Sequence, residues 1–243
     1  MKYLKLTIIF SVTFSFFQGY AQSNFSGIVN YESTISEKIL KEYINKKESK
    51  EFDKRLIKSL DDVYFQKKPI KSKILFNNGK GVYMLENNMN VEDENDIGLS
   101  IAKVNAGGTN IYYYNDKDKK YLIKNCESLG DCFIYPNEYL EWQLTQETKT
   151  INGYVSYKAT RAKGKVIAWY TPKIPVSFGP KGEYGLPGLI LELEVSRSIF
   201  RATKIVLNPK EKVKVDKPSG GEKVTIEEYE KILKKAKKSV FGN

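Results

Sequence analysis

Apolar and polar residues alternate along most of the chain from Lys71 onward, and this period of two predicts β-strands. Asn78-Gly79 and Asn152-Gly153 each separate two such segments, and both residues of each pair tolerate the positive φ of a tight hairpin turn. Turn signals recur about every eight to twelve residues. The predicted strands are 27–32, 73–76, 81–85, 109–114, 120–123, 132–135, 141–149, 154–161, 165–171, 189–195 and 199–207.

The order of these segments predicts the fold class. No long helix separates successive strands, so the crossover connections of a parallel sheet have nowhere to form. We therefore predict a mainly β fold of the α+β class, built as a curled antiparallel sheet or half-barrel. A sandwich of two sheets is the alternative, since it produces the same spacing of short strands.

Helical periodicity is confined to the two ends of the chain. An N-terminal helical segment with a break at 45–48 ends before Pro69, and Thr225-Ile226-Glu227-Glu228 is a capping box that opens a C-terminal helix. The polar, lysine-rich stretch 209–221 is typical of a linker. The spaced apolar residues are Ile35, Ile39, Tyr43, Phe52, Leu56 and Leu60 at the N-terminal end, and Ile226, Tyr229, Leu233, Ala236 and Val240 on the helix face expected to dock on the sheet.

The first 21 residues have the pattern of a signal peptide. Lys2 and Lys5 precede the apolar run 6–17, and Gly19-Tyr20-Ala21 forms a small-x-small cleavage site. The run is shorter than the roughly 20 residues that a transmembrane helix needs, and no later segment qualifies. We predict a periplasmic or secreted protein with three parts: signal peptide 1–21, β domain 22–208, and basic linker with helix 209–243.

Composition removes many function classes. The chain of 243 residues has no histidine, which excludes Ser-His-Asp and Cys-His catalysis and histidine-ligated metal sites. Phosphate-loop and dinucleotide motifs do not occur, so we expect no cofactor and no enzyme activity. The net charge of +11 falls to +9 without the leader, but its lysines do not interleave with aromatics as in nucleic-acid binding. An anionic membrane or lipopolysaccharide surface suits this charge better, and a solvated tail is the simpler interpretation.

Three groups of side chains are candidates for local chemistry. Cys126 and Cys132 enclose a short loop, which predicts a disulfide in an oxidising compartment, although two free thiols fit the spacing too. Glu192 and Glu194 share one side of a strand, about 6.5 to 7 Å apart, where acid–base glycoside chemistry or a solvated face is conceivable. The cluster 92–96 fails the calcium-loop template and is expected to be a plain acidic loop, so no metal site is predicted.

The window 168–192 is unusual because four of the eight prolines and many glycines and aromatics fall within it. Prolines fix φ and remove hydrogen-bond donors, so the window predicts a rigid excursion between two strands. Such an excursion forms either a plug for the core or the rim of a binding site. We expect Trp169 to point inward with Ile167 and Thr171. The candidate ligand-binding or motif residues are Trp169, Tyr170, Ile174, Pro175, Gly179, Pro180, Gly185, Leu186, Pro187 and Gly188.

The six residues Gly185-Leu186-Pro187-Gly188-Leu189-Ile190, with Ala168-Trp169-Tyr170, Ile174-Pro175 and Gly179-Pro180 before them, resemble the GLPGLI family. The resemblance extends over most of the mature chain. It implies an exported protein of Bacteroidetes, from a family without an established biochemical function whose genes accompany those of outer-membrane receptors. Ser156 stands where many members have cysteine, so a shared role for that cysteine does not carry over.

Two functional hypotheses follow. The first is a periplasmic binding or carrier module for an apolar small molecule or lipid, with the proline-rich excursion lining its mouth. The second is an accessory or assembly protein that contacts an outer-membrane protein through the excursion or the basic tail.

Overall fold

The computed structural model describes residues 25–49, 53–65, 68–86, 96–126, 129–138 and 140–241. The predicted signal peptide and most of the acidic cluster, residues 92–95, lie outside these ranges. Within the described ranges, twelve strands form one mixed sheet in the order β12-β6-β5-β4-β3-β2-β1-β11-β10-β9-β8-β7. The strands are β1 Ser26–Ile35, β2 Ile70–Asn77, β3 Lys80–Leu85, β4 Ile111–Asn115, β5 Lys120–Asn125, β6 Phe133–Pro136, β7 Gln143–Ile151, β8 Tyr154–Arg161, β9 Val166–Thr171, β10 Leu189–Val195, β11 Ser198–Leu207 and β12 Glu222–Lys223.

The predicted mainly β fold is confirmed, and the single sheet replaces the alternative of a two-sheet sandwich. Its neighbouring strands are antiparallel except for the short β12–β6 pair, which is parallel. Glu183 pairs with Arg161 at the end of β8, while the next residue, Tyr184, stacks on Tyr121 of β5. A flat sheet would hold β5 and β8 eight strand spacings apart, about 38 Å. One short segment can reach both only because the sheet curls, and it does so without closing into a barrel.

In the described part of the chain, four α-helices accompany the sheet: α1 Glu37–Glu48, α2 Lys54–Tyr64, α3 Ile97–Ala106 and α4 Ile226–Phe241. The helical N-terminal segment and the C-terminal helix match the sequence pattern, but the expected break at 45–48 is wrong. These residues form the last turn of α1, which ends at Glu48, and α2 begins at Lys54. Thr225 and Glu228 form the predicted capping box, with reciprocal hydrogen bonds of 2.8 and 3.1 Å. Tyr229 of α4 stacks on Tyr135 of β6 at 4.1 Å, so the expected docking of this helix on the sheet is also observed.

Helix α3 is absent from the sequence-based expectation. Asp96 caps its first turn by accepting a hydrogen bond from the Leu99 amide at 2.9 Å. Leu99, Ala102 and Ala106 are buried in the main core, and Tyr83 of β3 donates to the Ala106 carbonyl at 2.8 Å. The helix thus covers part of the sheet that the sequence pattern had left open.

The two faces of the sheet differ in what covers them. The inner face carries most of the core, and Val29, Ile74, Tyr83 and Tyr112 are paired neighbours on it across β1 to β4. Helix α3 and the excursion 172–188 pack against this face. The opposite, outer face carries the alternate residues of the same strands.

Candidate functional site

The candidate binding residues of the excursion lie mostly in the core. Ile174 and Leu186 are 0% and 1% exposed, as expected of a plug. Gly179, Pro180 and Gly188 are buried as well, while Pro175, Gly185 and Pro187 are exposed. The excursion therefore fills the concave side of the sheet, and its apolar side chains leave no open mouth at this position in the described part of the chain.

The expected inward orientation of Trp169 is wrong. Ala168 and Tyr170 are the buried inner residues of β9, and Trp169 is half-buried on the outer face. There the Lys149 ammonium lies 4.3 Å from the centre of its ring. The strand is apolar on both faces, so its period could not indicate which face was inner.

Tyrosine hydroxyls satisfy the buried backbone of the excursion. Tyr114 donates to the Gly179 carbonyl at 2.6 Å and accepts from the Gly182 amide at 3.1 Å. Tyr31 donates to the Ile190 carbonyl at 2.7 Å. Burial raises the pKa of Tyr31 and of Tyr114 well above the ordinary value, so both stay protonated donors.

Two motif glycines lie so close to neighbouring atoms that a side chain at either position would not fit. A Cβ at Gly188, whose φ is +156°, would stand 2.2 Å from the Thr171 carbonyl oxygen. A Cβ at Gly179 would stand 2.4 Å from Cδ1 of Ile190. The glycine spacing of the motif is thereby explained by packing, without reference to a ligand.

An ion pair anchors the far end of the excursion. Arg161 Nε donates to Glu183 Oε2 at 2.8 Å, and its Nη2 donates to Oε1. The guanidinium also lies 5.6 Å from the centre of the Trp142 ring, and Trp142 Nε1 donates to the Tyr184 carbonyl at 2.9 Å. Glu183 is 4% exposed, so this bidentate pair compensates a charge that would otherwise be costly to bury.

The predicted disulfide between Cys126 and Cys132 is present. The Cys132 carbonyl also accepts a hydrogen bond from the Glu222 amide at 2.8 Å, which holds β12 beside β6. The disulfide loop therefore fixes the point where the chain returns to the sheet edge.

The two carboxylates of β10 are both engaged on the outer face. Glu192 accepts from Lys149 at 2.8 Å and lies 3.4 Å from Arg201. Glu194 accepts a hydrogen bond from the hydroxyl of Ser36. Within the described residues, no group of three or more acidic or cysteine side chains could hold a metal ion.

The segment 209–221, here called the strap, is packed on the sheet rather than free as the linker prediction implied. Val213 is 6% exposed, and its carbonyl accepts from Asn77 of β2 at 2.9 Å. Further along, Lys124 of β5 donates to the Ser219 carbonyl at 2.7 Å. The strap thus crosses the outer face from β2 to β5 before it reaches β12.

The outer face carries a row of apolar side chains that begins beside the strap and continues beneath it. Paired neighbours run across six strands from β11 to β5, in the order Val206, Ile28, Leu75, Val82, Tyr113 and Leu122. Sequence reasoning missed this row, although Ile74-Leu75-Phe76 is a continuous apolar run. Such runs indicate a strand that is covered on both faces.

Between the strap and the sheet lies a cavity of about 410 Å³, here called the outer groove. Its floor is formed by four apolar side chains, of which Val82 is the most buried. Its walls come from the strap and from Lys124. The complete lining is Leu75, Val82, Met84, Ile111, Lys124, Lys214, Asp216, Lys217, Pro218 and Ser219.

Comparison with known proteins identifies a related segment and a shared fold. Residues 160–192 match the family model described as "Protein of unknown function (Porph_ging)". This range contains the ion pair of Arg161 with Glu183 and all of the excursion. No curated protein matches the chain.

Two solved structures share the fold. The "Structure of PNGF-II in P21 space group" has a TM-score of 0.53 at 16% identity, and covers 88% of this chain and 34% of that one. The structure of PNGF-II in the C2 space group has a TM-score of 0.50 at 14% identity, with 88% and 33% covered. The chain spans about a third of the length of these structures, and the likeness is one of fold alone.

No helix among the described residues is long and apolar enough to cross a membrane.

Proposed function

We propose that the chain is an exported, periplasmic binding module of the GLPGLI type for an apolar, envelope-derived ligand, and that the outer groove is its ligand site. The excursion then serves as the plug that gives the sheet its core. The observation that carries the proposal is the groove itself, with its apolar floor under a polar strap. Its volume of about 410 Å³ lies in the range of small-molecule sites, about 300 to 1,000 Å³.

The surroundings of the groove support a preformed site. Three contacts fix the strap: Asn77 to the Val213 carbonyl, Lys124 to the Ser219 carbonyl, and the Glu222 amide to the Cys132 carbonyl. A covering segment held at several points retains its gap without a ligand, which reduces the ordering cost of binding. The disulfide that anchors its end is in keeping with an oxidising compartment such as the periplasm.

The experiment uses the uncharged dye N-phenyl-1-naphthylamine, whose fluorescence rises in apolar surroundings. Ile111 on the groove floor is changed to Asp. We expect the dye affinity to fall at least about tenfold, because binding of the uncharged dye must desolvate the introduced carboxylate together with Lys124, its direct neighbour across β4 and β5.

Val155→Asp is the matched control, since Val155 is 50% exposed on β8 and does not line the groove. Its affinity should equal that of the unchanged protein, and melting temperatures establish that both variants are folded. Equal loss of binding in the two variants, or no fluorescence response of the unchanged protein, would refute the groove as the ligand site.

A second candidate function is favoured by the comparison with longer chains. The fold occurs there as about a third of a larger protein. An accessory protein that contacts an outer-membrane partner would likewise be one folded unit of a larger assembly. Co-purification of an outer-membrane protein that persists in the Ile111→Asp variant would favour this role over ligand binding.

A further inference from the structure

The outer groove has an uneven distribution of charge. Three of its lining residues are lysines and one, Asp216, is acidic, so the lining has a net positive charge. Lys124 projects from the sheet beside the floor residue Ile111, its direct neighbour across β4 and β5. Lys214 and Lys217 belong to the strap and are exposed. Positively charged side chains therefore come from both the sheet and the strap around an apolar groove floor.

Lys124 is suited to bind a negative group. Its ammonium donates one hydrogen bond to the Ser219 carbonyl at 2.7 Å, and an ammonium has three donors. The side chain is half-buried beside apolar residues, whereas its hydrogen bond to Ser219 is exposed, so the ammonium can reach a charged group at the edge of the groove. An uncharged ligand would leave this donor capacity unused.

The shape of the groove limits the size of the apolar part. The floor extends over three adjacent strands, β2, β3 and β4, which is about 10 Å across. Strap residues 214–219 cover it, so the surface of a bilayer cannot lie flat on the floor. A single alkyl chain can enter beneath the strap.

We infer that the ligand of the outer groove is a single-chain anionic amphiphile, whose carboxylate or phosphate head contacts Lys124, Lys214 and Lys217 while its alkyl chain lies on Leu75, Met84 and Ile111. This inference rests on the proposed function and adds the chemical class of the ligand. Its source is an envelope lipid or a product of one, in monomeric form.

The test compares probes that share a twelve-carbon chain. Binding of dodecyl phosphate, dodecyl maltoside and dodecyltrimethylammonium is measured by calorimetry below the concentration at which each forms micelles, with inorganic phosphate as a fourth probe. We expect dodecyl phosphate to bind about tenfold tighter than the neutral probe, and the cationic probe to bind weakest. Shortening the phosphate's chain to ten carbons should weaken binding by roughly fourfold to fifteenfold.

Two variants assign the selectivity to the lysines. Lys124→Gln, and separately Lys214→Gln with Lys217→Gln, should each lower the affinity for dodecyl phosphate several-fold. The strap double variant, which keeps all three contacts that fix the strap, should leave the affinity for dodecyl maltoside unchanged. Lys234→Gln with Lys235→Gln is the control, since it removes the same charge as the strap double variant from exposed positions on α4. This control should retain the preference of the unchanged protein.

The outcomes separate the two proposals. Equal affinity for the phosphate and maltoside probes would overturn the anionic class and leave the binding function in place. Inorganic phosphate that binds as tightly as dodecyl phosphate would also overturn it, because the alkyl chain would then contribute nothing. If none of the twelve-carbon probes binds, the proposed function fails and the inference fails with it.

Discussion

Leu186 lies at the centre of the motif and is 1% exposed among the residues of the main core. Truncation to alanine removes buried methyl groups and leaves a cavity that rigid neighbours cannot fill. We expect Leu186→Ala to lower the free energy of unfolding by about 2 to 5 kcal/mol. Urea denaturation measures this change directly.

Leu144→Ala is the comparison, because Leu144 is 58% exposed and its truncation should cost less than about 0.5 kcal/mol. A similarly small loss for Leu186→Ala would show that the excursion is not a packed plug. Because Leu186 does not line the outer groove, its variant should keep whatever affinity the groove has.

The orientation of individual side chains is where sequence reasoning was weakest. Val166 to Thr171 has hardly a polar residue, so either face of β9 could have been the inner one. Trp169 lies on the outer face, where the ammonium of Lys149, a residue distant in sequence, lies over its ring. The pairing of Arg161 with Glu183 likewise depends on how the excursion folds back, which local spacing does not encode.

At the scale of elements, the capping box of α4 offers a direct test. Thr225 accepts from the Glu228 amide, and the Glu228 side chain accepts from the Thr225 amide. Thr225→Ala leaves the Glu228 amide without this acceptor and should lower the free energy of unfolding by about 1 kcal/mol. Since α4 is docked through Tyr229, the loss should appear in urea denaturation of the whole protein.

Glu228→Gln is the control, because glutamine accepts the same hydrogen bond and should change stability much less. A loss in Thr225→Ala no greater than in Glu228→Gln would mean that the cap contributes nothing to the docked helix.

The sequence predicted the positions of the strands much better than it predicted which segments cover the two faces of the sheet. Alternation and the Asn-Gly turns predicted eleven of the strands because these signals are local. Helix α3 was missed since its ten residues include Gly98 and are apolar around most of the helix, so no amphipathic stripe stands out. The strap was interpreted as a linker because the hydrogen bonds that hold it are accepted by its backbone carbonyls, at Val213 and Ser219, and these leave no hydrophobic pattern in the sequence.

At the scale of the whole molecule, ionisation of tyrosines governs the response to alkaline pH. The chain has 17 tyrosines and no histidine. Burial raises the pKa of Tyr31, Tyr83 and Tyr114, and burial together with Asp61 raises that of Tyr43 to about 12. Tyrosines of the unfolded chain lose their protons near pH 10, whereas these folded ones keep theirs.

The unfolded state therefore binds fewer protons above pH 10, and stability should fall as pH rises further. We expect urea midpoints to be nearly constant from about pH 6 to 9, where no side chain with an ordinary pKa titrates, and to drop steeply above pH 10. Absorbance at 295 nm should show part of the tyrosine ionisation only upon unfolding. Complete ionisation near pH 10 in a protein that remains folded would contradict the burial of these hydroxyls.

The position of β1 in the middle of the sheet has a consequence for the order in which the protein folds. β1 to β6 form one meander and β7 to β11 a second, and each can assemble from neighbours in sequence. Only the long β1–β11 ladder joins them, and it pairs the two ends of the β domain. Because closing such a large loop is entropically costly, we expect this ladder to be the slow step of folding. Until β11 has emerged during synthesis, β1 has an open edge, and in that interval the chain depends on protection from aggregation.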